Sequence, residues 1–289
     1  MSRERILATT DLGENSYKVL DKAIDFALTH DKWLEVLHVA APSLFAFGFA
    51  TEKREVKPDD PRLIAISEKI KNGLGRKMER LNVETCLGDI VDTIKAYAQE
   101  KRAGLVIIGA SEHKGGIVEL VLGSTARQII SESTVSVLVS KSDGHKADYR
   151  TIYVPTDFSD RSQNTVGTLL EFFPKAKLII EHLVEMPSEV QLAFYDLDDD
   201  YIKNFTDNAT AKAKEAMTLF MSGIKNRFDR AQNADIVTSF ISGHIDGVKI
   251  RDRVAENKAD LVGLYAETSR YSRTLDIIQK SNCDLFLSK

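Results

Sequence analysis

The chain has 289 residues, room for two ordinary cores and more than one core fills comfortably. Its 43% hydrophobic and 28% charged residues exclude a largely disordered chain. A net charge of -4 lacks the clustered basic footprint that neutralises phosphates, so no nucleic-acid partner is expected.

Met1-Ser-Arg-Glu-Arg5 leads directly into a strand-like run, and no apolar stretch approaches bilayer length, so a cytoplasmic protein without a membrane partner is expected. The first such run is Arg5–Leu12, followed by helical spacing at Val19, Ala23, Phe26 and Ala27. A second run covers Leu34–Val39. Phe45-Ala-Phe-Gly-Phe49 then places alternating aromatics in a loop, where they suit a lid or a partner contact. Helical spacing returns at Ile90, Ile94, Tyr97 and Ala98, before further strands at Gly104–Gly109 and Val135–Ser140. The polar stretch Ser142–Asp148 reads as a linker.

Beyond the linker the series begins again. Thr151–Phe158 aligns with Arg5–Leu12, Leu178–Leu183 with Leu34–Val39, Asp260–Tyr265 with Gly104–Gly109, and Cys283–Ser288 with Val135–Ser140. A period near half the chain implies duplication of a whole folding unit. The expected domains are 1–142 and 149–289, each of five strands alternating with four helices. Short strands that are almost wholly apolar fit a parallel sheet covered on both faces, so the expected class is α/β with two tandem, doubly wound, open five-stranded sheets.

Several constellations read as structural. Cys86 and Cys283 have no metal-ligand spacing and sit in apolar runs, where core thiols are expected. His38 and His182 recur at equivalent positions without a second ligand, which favours a role in the fold. Asp196-Leu-Asp-Asp-Asp200 fails the calcium-loop frame and reads as a solvated start to a long helix. Ser242-Gly-His-Ile-Asp-Gly247 has the look of a pyrophosphate-cleaving loop but follows the wrong strand, and reads as an ordinary strand-to-helix turn. No catalytic set and no metal site is complete, so no enzyme is expected.

The strand ending Val154-Pro-Thr-Asp-Phe-Ser159, the strands ending in His38-Val39 and His182-Leu183, and Gly123-Ser-Thr125 before a helix together resemble the universal stress protein family over essentially both halves. That resemblance implies a Rossmann-like, adenine nucleotide alpha hydrolase-like fold. It also implies pairing through last strands, so that the tandem chain is a pseudo-dimer with Val135–Ser140 and Cys283–Ser288 as pairing edges. A further homodimer is left open.

In nucleotide-binding members a loop reads G-x-x-G, nine residues, then G-S or G-T. Counted back from Gly123, the two leading glycines fall on Ala110 and His113. The implied nucleotide-binding set is Thr9, Thr10, Asp11, Val39, Gly109, Ala110, His113, Gly123, Ser124 and Thr125. Glycines suit such a loop because backbone N–H groups must close on phosphate oxygens while the next helix adds its dipole. Ser124 could cap that helix or donate to a phosphate, and His113 with Lys114 could donate from side chains or stand as a solvated tip. Asp11 could meet ligand or cap its helix.

In the second half only Glu267–Arg270 separates Ala266 from Tyr271, the residue opposite Gly123, so the loop is shortened past use. The resemblance therefore implies a non-enzymatic stress-response binder of ATP or AMP in the first half, with at most very weak ATP hydrolysis. Mg²⁺ would be held through the phosphates, and output would run through unidentified protein partners. The alternatives are a ligand-free tandem scaffold and a binder of another small molecule.

Overall fold

A computed structural model describes residues 5–40, 61, 64, 65, 68, 69, 72, 80–110, 122–141, 147–185, 199–243, 247–266 and 273–289. The chain forms two compact units, residues 1–148 with Lys289, and residues 149–288.

The first unit contains β1 (Arg5–Thr10), α1 (Glu14–Thr29), β2 (Trp33–Ala40), β3 (Leu81–Leu87), α2 (Ile90–Glu100), β4 (Ala103–Gly109), α3 (Ser124–Glu132) and β5 (Ser136–Ser140). Positions 61, 64, 65, 68, 69 and 72, between β2 and β3, are helical. All strand pairs are parallel, in the order β3-β2-β1-β4-β5.

The second unit repeats this with β6 (Thr151–Pro155), α4 (Asp160–Phe172), β7 (Lys177–Glu185), α5 (Asp199–Arg227), β8 (Ile236–Gly243), α6 (Gly247–Glu256), β9 (Leu261–Tyr265), α7 (Arg273–Lys280) and β10 (Asp284–Ser288). Its order, β8-β7-β6-β9-β10, is the same winding. Each unit is thus a doubly wound, open, parallel α/β sheet.

The apolar runs are continuous because the central strands are covered on both faces. Ile6, Leu7, Ala8, Val36, Leu37, Leu105 and Ile107 are fully buried, and Val19, Leu20, Ala23, Phe26 and Ala27 turn one side of α1 onto the sheet. Each large aliphatic side chain so buried contributes about 1.5–3 kcal/mol. Helix ends repeat as well. Asp89 caps α2 by accepting N–H bonds from Val91 and Asp92 at 3.0 Å, and Arg102 and Lys258, at equivalent helix exits, both have positive φ (54° and 51°).

The expectation of core thiols is corrected: both cysteines are only partly buried. Cys86 lies on β3, the outermost strand of its unit, and Cys283 precedes the first residue of β10, where cover from helices is incomplete. The long helix opens at Asp199 with Asp200 exposed, as expected, while Asp196–Asp198 lie outside the described residues. Phe45–Phe49 and His244–Asp246 also lie outside them. Among the described residues no helix is long and apolar enough to cross a membrane.

Each unit buries a glutamate that the repeat does not align. Glu35 accepts from Arg5, from Asn82 at 2.9 Å and from Tyr97 at 3.2 Å. Glu181, 0% exposed, accepts from Tyr153 at 2.7 Å, Ser239 at 2.8 Å and both guanidinium arms of Arg253 at 2.7 and 2.8 Å. Burial alone would raise its pKa, but the bonds from Arg253, Tyr153 and Ser239 outweigh burial and hold it below the usual carboxylate range.

Candidate functional site

In an open parallel sheet, ligands bind where the carboxyl ends of neighbouring strands part. In the first unit β1 lies between β2 and β4, all parallel, which places Thr9–Asp11, Val39 and Gly109–Ala110 along one edge. The helix α3 runs from that edge back to β5, so Gly123, Ser124 and Thr125 at its amino end open on it too. His113 lies outside the described residues, as do Lys114, Glu267–Arg270 and Tyr271.

The turn leaving β1 is built from short polar side chains. Thr10 Oγ1 accepts the Leu12 N–H at 3.1 Å, and Asp11 Oδ1 accepts the Gly13 N–H at 2.9 Å and the Ser16 hydroxyl. Leu12 is thereby held at φ 64°. The second unit builds the same turn. Thr156 Oγ1 accepts from Phe158 at 3.0 Å, Asp157 Oδ1 accepts from Ser159 N–H at 3.0 Å and from the Ser159 and Ser162 hydroxyls at 2.6 Å, and Phe158 has φ 65°. A bulky residue at positive φ costs roughly 1 kcal/mol or more, which these bonds offset.

The histidines secure the same corner. His38 Nδ1–H donates to the Thr10 carbonyl at 2.9 Å, and His182 Nδ1–H to the Thr156 carbonyl at 2.8 Å. The identical bond in both units accounts for both residues as struts between neighbouring strands, and fixes the tautomer with the proton on Nδ1.

Neither aspartate caps its helix, which corrects that alternative: the N-caps of α1 and α4 are Gly13 and Ser159, and Ser159 accepts the Ser162 N–H. Burial pushes the Asp11 carboxyl up, but the bonds from Ser16 and Gly13 outweigh it and the net shift is downward. Asp157 is lowered in the same way by Ser159 and Ser162 against burial. Both are therefore carboxylates at neutral pH, anchored through Oδ1. Oδ2 of Asp11 has no partner among the described residues.

At the α3 end of the edge, Gly123 is the N-cap of that helix, with φ -61°, ψ 160° and no side-chain cap bond. The expectation that Ser124 caps is corrected: Ser124 is the first residue inside the helix and is exposed. Among the described residues no side chain caps the leading N–H groups of α3. Gly109 and Ala110 have duties of their own. A Cβ on Gly109 would meet Val19 Cγ2 at 2.8 Å, so that glycine lets α1 pack on β4. The Ala110 N–H is spent on the Ser140 carbonyl at 3.0 Å, as the Ala266 N–H is on Ser288, so it is not a free phosphate donor.

A concavity of about 470 Å³ lies at the opposite, amino edge of the same unit, lined by Arg5, Glu35, Asn82, Glu100, Lys101 and Arg102. Its charges largely neutralise one another: Arg5 pairs with Glu35, and Lys101 with Glu100 at 3.1 Å and Glu84 at 3.6 Å.

A family model described as "Universal stress protein family" matches residues 2–141. That span covers the whole of the first unit's sheet. The first unit thus matches the universal stress protein family. Universal stress protein A homolog 1 of Coxiella burnetii is 24% identical over 147 residues, 48% of this chain and 96% of that protein. Universal stress protein YxiE of Bacillus subtilis is 26% identical over 147 residues, 47% of this chain and 97% of that protein. A universal stress protein structure from Archaeoglobus fulgidus aligns with 100% of this chain and 99% of its own, at a TM-score of 0.62 and 17% identity, which extends the fold likeness to the second unit.

In the two turns, sequence reasoning missed Ser16 and Ser162, the hydroxyls that anchor the two aspartates. A signal was present: each half carries a serine five residues after its aspartate.

Proposed function

We propose that the chain is a tandem universal stress protein, with domains at 1–142 and 149–289, whose first domain binds ATP or AMP. It acts in the stress response without catalysing a reaction, through protein partners whose affinity depends on nucleotide occupancy. The observation that carries this reading is the start of α3. The backbone of Gly123 is extended and open to any residue, so what glycine adds there is a missing side chain, which close approach of a phosphate needs. N–H groups that no described side chain caps, and the hydroxyls of Ser124 and Thr125, suit phosphate oxygens. Asp11 and Val39 would meet the adenosine. Mg²⁺ would be held by the phosphates and supply charge neutralisation there.

The second reading, a ligand-free scaffold, is favoured by Gly109 and Ala110, whose identities and bonds the fold itself explains. Melting the full chain with ATP and Mg²⁺ separates the two. At ten times Kd a bound ligand stabilises by about 1.4 kcal/mol, a rise of a few degrees. That rise, lost in Gly123→Val, supports the site, whereas an unchanged midpoint at millimolar ATP and AMP supports the scaffold.

A further inference from the structure

The two units end their sheets with different kinds of edge. In the first, β3 reads Leu-Asn-Val-Glu-Thr-Cys-Leu, with Glu84 at its centre and Arg80 immediately before it. In the second, β8 reads Ile-Val-Thr-Ser-Phe-Ile-Ser-Gly, eight residues without a charge or a proline, with Asp235 immediately before it. Among the described residues β8 pairs with β7 alone and ends the order of its sheet. Val237 is 42% exposed, and Thr238 and Ser242 are exposed as well. Proteins usually guard such edges with charges, prolines or bulges, because unpaired N–H and C=O groups recruit another strand.

We infer that β8 is an interaction surface for a second copy of this chain, joined antiparallel across a two-fold axis. Self-pairing sets a strand against its own sequence, so any charge near the axis meets its like, at a cost to the pair. On β8 no charge exists to be opposed, and β-branched and aromatic residues supply cross-strand contacts. On β3 the same operation would bring two copies of Glu84 together. Thr238 and Ser242 share one face of β8, and in a register centred on Phe240 they lie opposite each other across the axis.

The test is sedimentation of the full chain at roughly 100 μM, where a micromolar association is nearly complete. The wild type is expected to sediment at an even multiple of 32.2 kDa, and Thr238→Lys/Ser242→Lys at half the wild-type mass with an unchanged far-ultraviolet spectrum. Mixing it with Thr238→Glu/Ser242→Glu is expected to restore the larger mass. A wild type of 32.2 kDa, or a lysine variant that keeps the wild-type mass, overturns the inference. Amide exchange on the wild type needs no variant: β8 amides should slow as concentration rises, and exchange that ignores concentration overturns it equally.

Discussion

The first and second units share one winding and one turn chemistry, yet they furnish the carboxyl edge differently. Both hold an aspartate through Oδ1, both place a bulky residue at positive φ, and both brace the corner with a histidine. In the second unit that bulky residue is Phe158, stacked on His182 at 4.1 Å between ring centroids, with buried Phe220 of α5 edge-on at 5.7 Å. The second unit thus fills the top of its own sheet with rings, where the first has Leu12. A duplicated scaffold can keep its turn while one copy gives the space above it to its own core.

The difference can be tested from its strongest element downward. Arg253→Met leaves Glu181 buried without its cation and should destabilise the second unit by about 3–5 kcal/mol in denaturant melts. Because the Glu181 pKa is lowered on folding, its contribution is present above the ordinary carboxylate pKa and fades as pH falls through the folded value. Acid melts of wild type and variant should therefore converge at low pH.

Phe158 and Leu12 are both partly exposed, but Phe158→Ala removes the ring stack and should cost about 2–4 kcal/mol, whereas Leu12→Ala, which removes no ring contact, should cost about 1 kcal/mol. Equal costs would erase the proposed division between the units. The smallest effect is expected from Asp157→Asn. Its exposed carboxylate accepts three bonds, and solvent leaves a loss of roughly 1 kcal/mol, present above the ordinary carboxylate pKa and absent at lower pH. Melts at pH 7 and pH 3 check that sign.

Much of the architecture was legible because parallel strands covered on both faces must be apolar, and four such runs recur in order. The struts at His38 and His182 were legible through the same repetition. What pairs across the sheet was not: Glu181 and Arg253 are 72 residues apart, and no local period links them. The positive φ at Leu12 and Phe158 was hidden because neither glycine nor asparagine marks it. Its cause is the pair of flanking Thr and Asp bonds. The Ser124 cap was misplaced by one residue, since a hydroxyl beside a glycine looks like a cap while the backbone makes the glycine the boundary. Gly109 shows the converse limit: a glycine counted with the binding set has its reason in packing, since a Cβ there would meet Val19.

Calorimetric titration of the full chain with ATP and Mg²⁺ tests the central claim most directly, because stoichiometry reports on both units at once. One nucleotide per chain is expected, lost in Gly123→Val and retained in Phe158→Ala. Two nucleotides per chain, or none at millimolar ATP, would contradict it.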